Sequence, residues 1–204
     1  MTLSTSRLCS LAAALLLAAC ASAPTRYYTL SAPLPDAAVA QTPPIFIEVM
    51  PVAVPERLAR PQLVVRPQGV QNARVEILEQ DRWSSPFNNE LRDALAGGIA
   101  NRLGAVDVTR GGRPSSQAAY RIAVELRHYD AVPGAQVQAT FGWTITRSDD
   151  SRSAACQLSV TEAVNGAGMD ALALGVQRAV AAAAAAISAN VTALQANRTV
   201  QCGG

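Results

Sequence analysis

Tyr120-Arg121-Ile122-Ala123-Val124-Glu125-Leu126-Arg127-His128, followed beyond a Pro133-Gly134 turn by Gln136-Val137-Gln138-Ala139-Thr140-Phe141-Gly142-Trp143-Thr144-Ile145-Thr146, decides the fold. In the first run Tyr120, Ile122, Val124, Leu126 and His128 fall on one face, with Arg121, Glu125 and Arg127 on the other. In the second, Val137, Ala139, Phe141, Trp143 and Ile145 oppose Gln136, Gln138, Thr140, Thr144 and Thr146. A period of two is the signature of a half-buried strand. After the Asp149-Asp150-Ser151 turn, Ala154 to Val160 brings Cys156, Leu158 and Val160 to the same side. The pattern is that of an antiparallel meander with one wet face.

The dry face needs a cover, and two helical patterns supply it. Phe87, Leu91, Leu95, Ile99 and Leu103 recur every four residues; Ser85 reads as the N-cap, Pro86 as the first helical position and Gly104 as the C-terminal cap. The second helix runs from about Met169 to Gln195, with Leu172, Val176, Val180, Ile187, Val191 and Leu194 at helical spacing. Its Ala181 to Ala186 run lets the backbone lie close to whatever it packs on. A second membrane anchor is the rival reading, opposed by Gln177, Arg178, Ser188 and Asn190.

Upstream, Arg26 to Leu30 is β-prone, Ser31 to Pro44 is a Pro/Ala-rich loop, and Ile45 to Met50 is a strand bent at Pro51 and Pro55. Glu56 to Pro61 forms a turn and Gln62 to Arg66 a strand stopped by Pro67. Gln71 to Glu79 carries Val75 and Ile77 at strand spacing, with Asp81 to Pro86 closing it, and Val106 to Val108 is a short strand. The expected fold class is α+β: an antiparallel or mixed sheet with two main helices packed on one face, in a single domain over 27–204.

The N-terminus reads as an export signal: Arg7 in a short polar start, an apolar core from Leu8, and Leu17-Ala18-Ala19-Cys20 at its end. That quartet fits a lipobox, the processing signal of bacterial lipoproteins. Residues 1–19 are then removed, Cys20 is acylated, and 20–26 form a lipidated, flexible tether. Several acyl chains hold a protein firmly, where one does so only marginally. The rival is an ordinary secretory signal cut after Ala19 or Ala21.

About 185 residues remain after processing, enough for one domain with a real core. All seventeen basic residues are Arg, set against fifteen acids, and they are dispersed, so no nucleic-acid surface is expected. Cys9 leaves with the signal and Cys20 carries lipid, so Cys156 and Cys202 remain as a pair in an oxidising compartment. They either form a disulfide stapling the C-terminal tail to the body, or stay a buried apolar residue and a tail thiol. His128 is the sole histidine, which excludes His-rich zinc sites and His-dependent triads elsewhere. Asp149-Asp150 and Gly97-Gly98 lack the flanking residues of metal or phosphate loops, and no sequence reason favours Asp81 and Glu90 as an acid pair. No enzyme, metal or cofactor is expected.

The chain resembles the PqiC/YmbA type of ABC-transport auxiliary lipoproteins. The resemblance rests on Arg26-Tyr27-Tyr28-Thr29-Leu30, on Ile47 to Pro55, on Arg60-Pro61-Gln62-Leu63-Val64-Val65-Arg66, on Arg82-Trp83-Ser84-Ser85-Pro86-Phe87, and on the long C-terminal helix. Glu56-Arg57-Leu58-Ala59 and Ser84-Ser85 depart from it. What the resemblance implies is a periplasm-facing outer-membrane lipoprotein, a reading that Ala21 after Cys20 also fits. It implies work beside an MCE-domain, PqiB-like transport protein that moves lipid and supports envelope integrity. A homo-oligomeric ring around that partner is a further expectation. Pro55, Arg60, Pro61, Arg66, Arg82 and Trp83 are the expected docking residues, with Trp83 either an exposed anchor or packed under the first helix. The alternative function is a lipid-binding carrier whose C-terminal helix and meander enclose an apolar cavity.

Overall fold

A computed structural model describes residues 23–31, 43–69, 73–112, 117–150 and 152–202. The signal, Arg7, Cys9, Cys20, Ala21, most of the Ser31 to Pro44 loop, Arg113 and Ser151 lie outside these. In chain order the elements are β1 (Arg26–Tyr28), β2 (Phe46–Val49), a 3-10 turn (Glu56–Leu58), β3 (Gln62–Val65), β4 (Glu76–Trp83) and α1 (Phe87–Leu103). They continue with β5 (Val106–Asp107), β6 (Ala119–Val132), β7 (Gln136–Arg147), β8 (Ser153–Ala163) and α2 (Met169–Gln195).

The meander β6-β7-β8 is antiparallel throughout and forms three-fifths of a sheet ordered β5-β2-β6-β7-β8, in which β2 runs parallel to both neighbours. A second sheet, β1-β4-β3, stands beside it. The backbone joins the two where Arg66 N–H donates to Ala131 O at 2.8 Å. The α+β class is as expected, with the small sheet as an addition.

Ile122, Val124, Leu126, Val137, Ala139, Phe141, Trp143 and Ile145 all point into the core. His128 does not: the ladder shifts register between Leu126 and His128, Arg127 is the extra residue, and from there Tyr129 and Ala131 face inward while His128 is exposed. One inserted residue reverses every later side chain on that strand. The expected strand over Gln71 to Glu79 is also displaced. β4 starts at Glu76 and buries Asp81 and Trp83, leaving Val75 and Ile77 43% exposed.

In α1, Phe87, Leu91, Leu95, Ile99 and Leu103 are buried, and Gly104 closes the helix in the left-handed conformation at φ 58°. Its start differs from expectation: Pro86 is the N-cap, at ψ 136°, and no side chain caps the first turn. α2 is long and apolar enough by composition to cross a membrane, with mean hydropathy 1.5. Yet Leu172, Val176, Val180, Ile187 and Val191 are buried against the sheet and α1, so it is a core helix, and the second-anchor reading falls. Small residues set the spacing. A Cβ at Gly175 would come 3.1 Å from Val164, and one at Gly98 would come 3.1 Å from the Ala184 Cβ.

Candidate interaction surface

Two buried carboxylates, marked by nothing in the sequence pattern, fasten the N-terminal strand. Asp81, 6% exposed, sits on β4 opposite Arg26; it accepts from Tyr28 Oη at 3.0 Å and pairs with Arg26 Nε at 2.8 Å. Burial together with the bond to this carboxylate pushes the Tyr28 phenol up to about 12. Glu90, in the first turn of α1, accepts from Thr29 Oγ1, Leu30 N–H, Ser84 Oγ and Ser85 Oγ at 2.5 to 3.1 Å. Burial alone would raise the Glu90 carboxyl, but these four donors outweigh it and hold it below the usual carboxylate range. Gln177 of α2 adds a bond to Thr29 O at 2.8 Å. The point where the tether meets the body is thereby fixed on both helices.

The expected docking residues divide. Pro61, Arg60, Arg82 and Trp83 come together: Trp83 N–H donates to Pro61 O at 2.6 Å, Phe87 N–H to Arg60 O at 3.2 Å, and Gln62 faces Arg82 across the ladder. Pro55 opens the 3-10 turn, whose Leu58 is buried. Arg66 belongs elsewhere, at the far end of β3, where its Nε binds both oxygens of Asp130 at 2.9 and 3.1 Å. Trp83 is no surface anchor. It is 3% exposed and packs 5.5 Å from Phe87, which in turn lies 5.4 Å from Tyr129, an aromatic column joining both sheets through α1. Of the packed and exposed alternatives, the structure takes the packed one. Arg82 stays at the surface, bonded to Glu79, and the Nε of Arg60 is buried with no hydrogen-bond partner.

On the wet face of the large sheet, Ala53, Ala123, Gly142 and Ala155 floor a shallow open depression beside Arg127 and Gln157. Cys156 and Cys202 are paired, with sulfurs 1.97 Å apart and 46 residues between them in sequence. The tail they hold is also fixed by Trp143 Nε1, which donates to Asn190 Oδ1 at 3.0 Å, while Asn190 Nδ2 donates to Gln201 O at 3.1 Å. Cys202 Sγ thereby lies 3.4 Å from the outward carbonyl of Ala155 on β8, and Arg178 donates to that of Ala163. Between α2 and the meander, the gap lined by Phe87, Leu126, Tyr129, Phe141, Val176 and Val180 does not admit a water molecule. Among the described residues no group of three or more His, Cys, Asp or Glu could hold a metal ion.

Residues 28–188 match the family model described as ABC-type transport auxiliary lipoprotein component. No curated protein matches the chain. Among solved structures, an uncharacterized protein is similar at TM-score 0.64 and 20% identity, covering 83% of this chain and 99% of its own. A Xanthomonas campestris protein assigned to the DUF330 family is similar at TM-score 0.58 and 16% identity, covering 84% and 98%. At such identities these likenesses speak for the fold.

Proposed function

The chain belongs to the family of ABC-type transport auxiliary lipoprotein components, and from that premise we propose that it is a non-enzymatic lipoprotein that works by docking. In this reading residues 1–19 are removed, Cys20 is acylated, and the short stretch between Cys20 and β1 tethers the domain to the periplasmic side of the outer membrane. The partner is the MCE-domain component of an ABC-type lipid transport system, PqiB-like in kind, around whose tip the protein assembles as a homo-oligomeric ring. Such a system supports envelope integrity.

The observation that carries docking over carriage is the filled gap between α2 and the meander among the described residues. An acyl chain has no space between α2 and the meander, where even a water molecule does not fit, so lipid passes beside this protein or through its partner. Attachment to the membrane raises the effective concentration of the encounter. Arg60, Pro61 and Arg82, gathered at one end of the small sheet with Pro55 nearby, are the contact this reading assigns.

Crosslinking the full-length chain in its native envelope, followed by mass spectrometry, tests the reading. An acylated Cys20 recovered together with an MCE-domain protein is the expected result, and the crosslinked yield should fall when Arg60 and Arg82 are both replaced by Ala. Recovery of acylated protein alone would sink the transporter assignment. Lipid retained in the purified domain would restore the carrier.

A further inference from the structure

β8 is the outermost strand of the large sheet, and the bonds at its ends show which of its residues face away from β7. Arg147 N–H donates to Arg152 O at 2.8 Å and Val164 N–H to Ala135 O at 2.9 Å, so the even-numbered residues commit their backbone groups to the ladder. The odd-numbered ones point outward. Two of these are occupied: Cys202 Sγ stands 3.4 Å from Ala155 O, and Arg178 donates to Ala163 O. Between these two stops, Gln157, Ser159 and Thr161 turn N–H and C=O away from β7, and among the described residues nothing takes them.

The side chains add a second mark. Leu158 and Val160 alternate with these three and point to the helix side, where both pack on the core yet stay only partly covered. A strand laid against β8 completes that cover with its own apolar residues at alternate positions. Border strands are commonly blunted by a charge, a proline or a bulge. Between Cys156 and Glu162 this one has neither charge nor proline, and its ladder with β7 runs without a shift.

The occupant follows from length. Gln157 to Thr161 spans about 17 Å of strand and is closed at both ends. A second copy offering its own β8 brings eleven residues, which the two stops hold off, whereas its β1, β3 and β5, at three, four and two residues, are shorter than the slot. A short extended segment of another protein fits.

We infer that this border is a docking slot for an extended segment of the transport partner, about five residues long, uncharged and apolar at alternate positions. The inference rests on the docking reading above. It adds to Arg60 and Arg82 a second contact, made backbone to backbone.

Hydrogen exchange on the full-length acylated chain, free and bound to its MCE-domain partner, tests the slot residue by residue. In the bound state the amides of Gln157, Ser159 and Thr161 should slow about tenfold or more, while those of Leu158 and Val160, already in the ladder, change little. Ser159→Pro removes the central outward N–H and keeps the bonds to β7. Recovery of the partner by crosslinking in the native envelope should then fall about tenfold, the effect of one or two hydrogen bonds. Ser159→Ala, which loses only the hydroxyl bonded to Thr140, should recover it as wild type does. Unchanged exchange at the three amides in the wild-type complex would overturn the slot even where Ser159→Pro does not fold. Full recovery of the partner by folded Ser159→Pro would do the same, and both results leave docking through Arg60 and Arg82 standing. A wild-type acylated chain recovered with no MCE-domain protein would sink that docking and the slot together.

Discussion

The guanidinium of Arg127 lies flat against the α-carbon of Gly142, so that a Cβ there would sit 2.7 Å from Nε and 2.8 Å from Cζ. Arg127 is the residue inserted into β6, and the bare backbone of β7 lets it cross that strand to reach Gln157 Oε1 on β8 at 2.7 Å, while its Nε bonds Glu125 at 3.1 Å. Glycine weakens a strand interior. Here it leaves a channel through which one side chain ties three strands.

Gly142→Ala should therefore destabilise the protein by about 1 kcal/mol, because the displaced arginine loses its bond to Gln157. In an Arg127→Ala background the same substitution should be neutral or stabilising, since alanine is then the better strand residue. A double-mutant cycle by urea unfolding reads the coupling. Equal effects in both backgrounds would show that the contact carries no energy.

Glu90→Gln should destabilise by about 1–2 kcal/mol: the amide oxygen can still accept from Thr29 and Leu30 and its NH2 can donate to the Ser84 and Ser85 hydroxyls, but all four bonds lose the strength that the charge gives them. The folded-state value of this carboxyl is lowered, so its contribution is present above the unfolded value of 4.5 and is lost as pH falls through the folded one. Urea midpoints measured between pH 5 and pH 2 should fall more steeply for wild type than for the variant.

At the alkaline end the sign reverses. The Tyr28 phenol is raised from 10.0 to about 12, so the fold favours its neutral form. Its contribution is complete below pH 10 and disappears as pH rises towards 12, because the unfolded chain gives up the proton first. Tyr129, fully buried and raised in the same direction, adds to this slope. Stability of Tyr28→Phe measured from pH 9 to pH 12 should decline less than wild type; parallel curves would refute the assignment.

Trp83→Ala should cost about 3–5 kcal/mol, as expected for emptying a packed aromatic site between Phe87 and the small sheet. Loss of partner binding in that variant then reports unfolding, which is why Arg60 and Arg82 are the cleaner probes of docking. Circular dichroism melting of Trp83→Ala beside Arg82→Ala separates the two: the first should shift the midpoint by many degrees, the second barely.

The Cys156–Cys202 pair closes a 46-residue separation, for which loop entropy gives about 4 kcal/mol. Cys202→Ser should approach that loss and expose Trp143, whose Nε1 depends on Asn190 and, through it, on the tail. Tryptophan emission of the folded variant should move to the red. Unchanged emission would show that Asn190 holds its place without the tail.

How much of this was legible in the sequence follows from which forces are local. The stripe of α1 and the bounds of α2 were readable because a 3.6-residue period repeated over many turns leaves little room for another interpretation, and Gly104 marks its helix end by conformation alone. The alternation of β6 and β7 was equally plain up to Leu126. Past it the reading failed at His128, because a bulge is fixed by how two strands align and carries no mark on the one strand that holds it. β4 was misplaced for a related reason: its partner β3 pairs irregularly, so that Gln62 meets Arg82 while Leu63 meets Leu78. Glu90 was invisible as a hub, since its donors at Thr29 and Leu30 lie sixty residues away. Trp83 stood between two readings that a neighbouring arginine could not separate. Only the placement of Phe87 and Tyr129 does.

The outer border of β8 carries a last consequence. A strand at the margin of a sheet offers its outward amides and carbonyls to any extended chain that passes. Here Cys202 stands over Ala155 and Arg178 over Ala163, at the two ends of the strand, and only the three outward positions Gln157, Ser159 and Thr161 are left between them. Molecules held side by side on a membrane meet at high local density, where zipping of neighbours into a common sheet would be the ready route to irreversible clumping. A gap this short confines such zipping to three outward residues, so the two attachments narrow the route by which crowded domains could fuse along this strand.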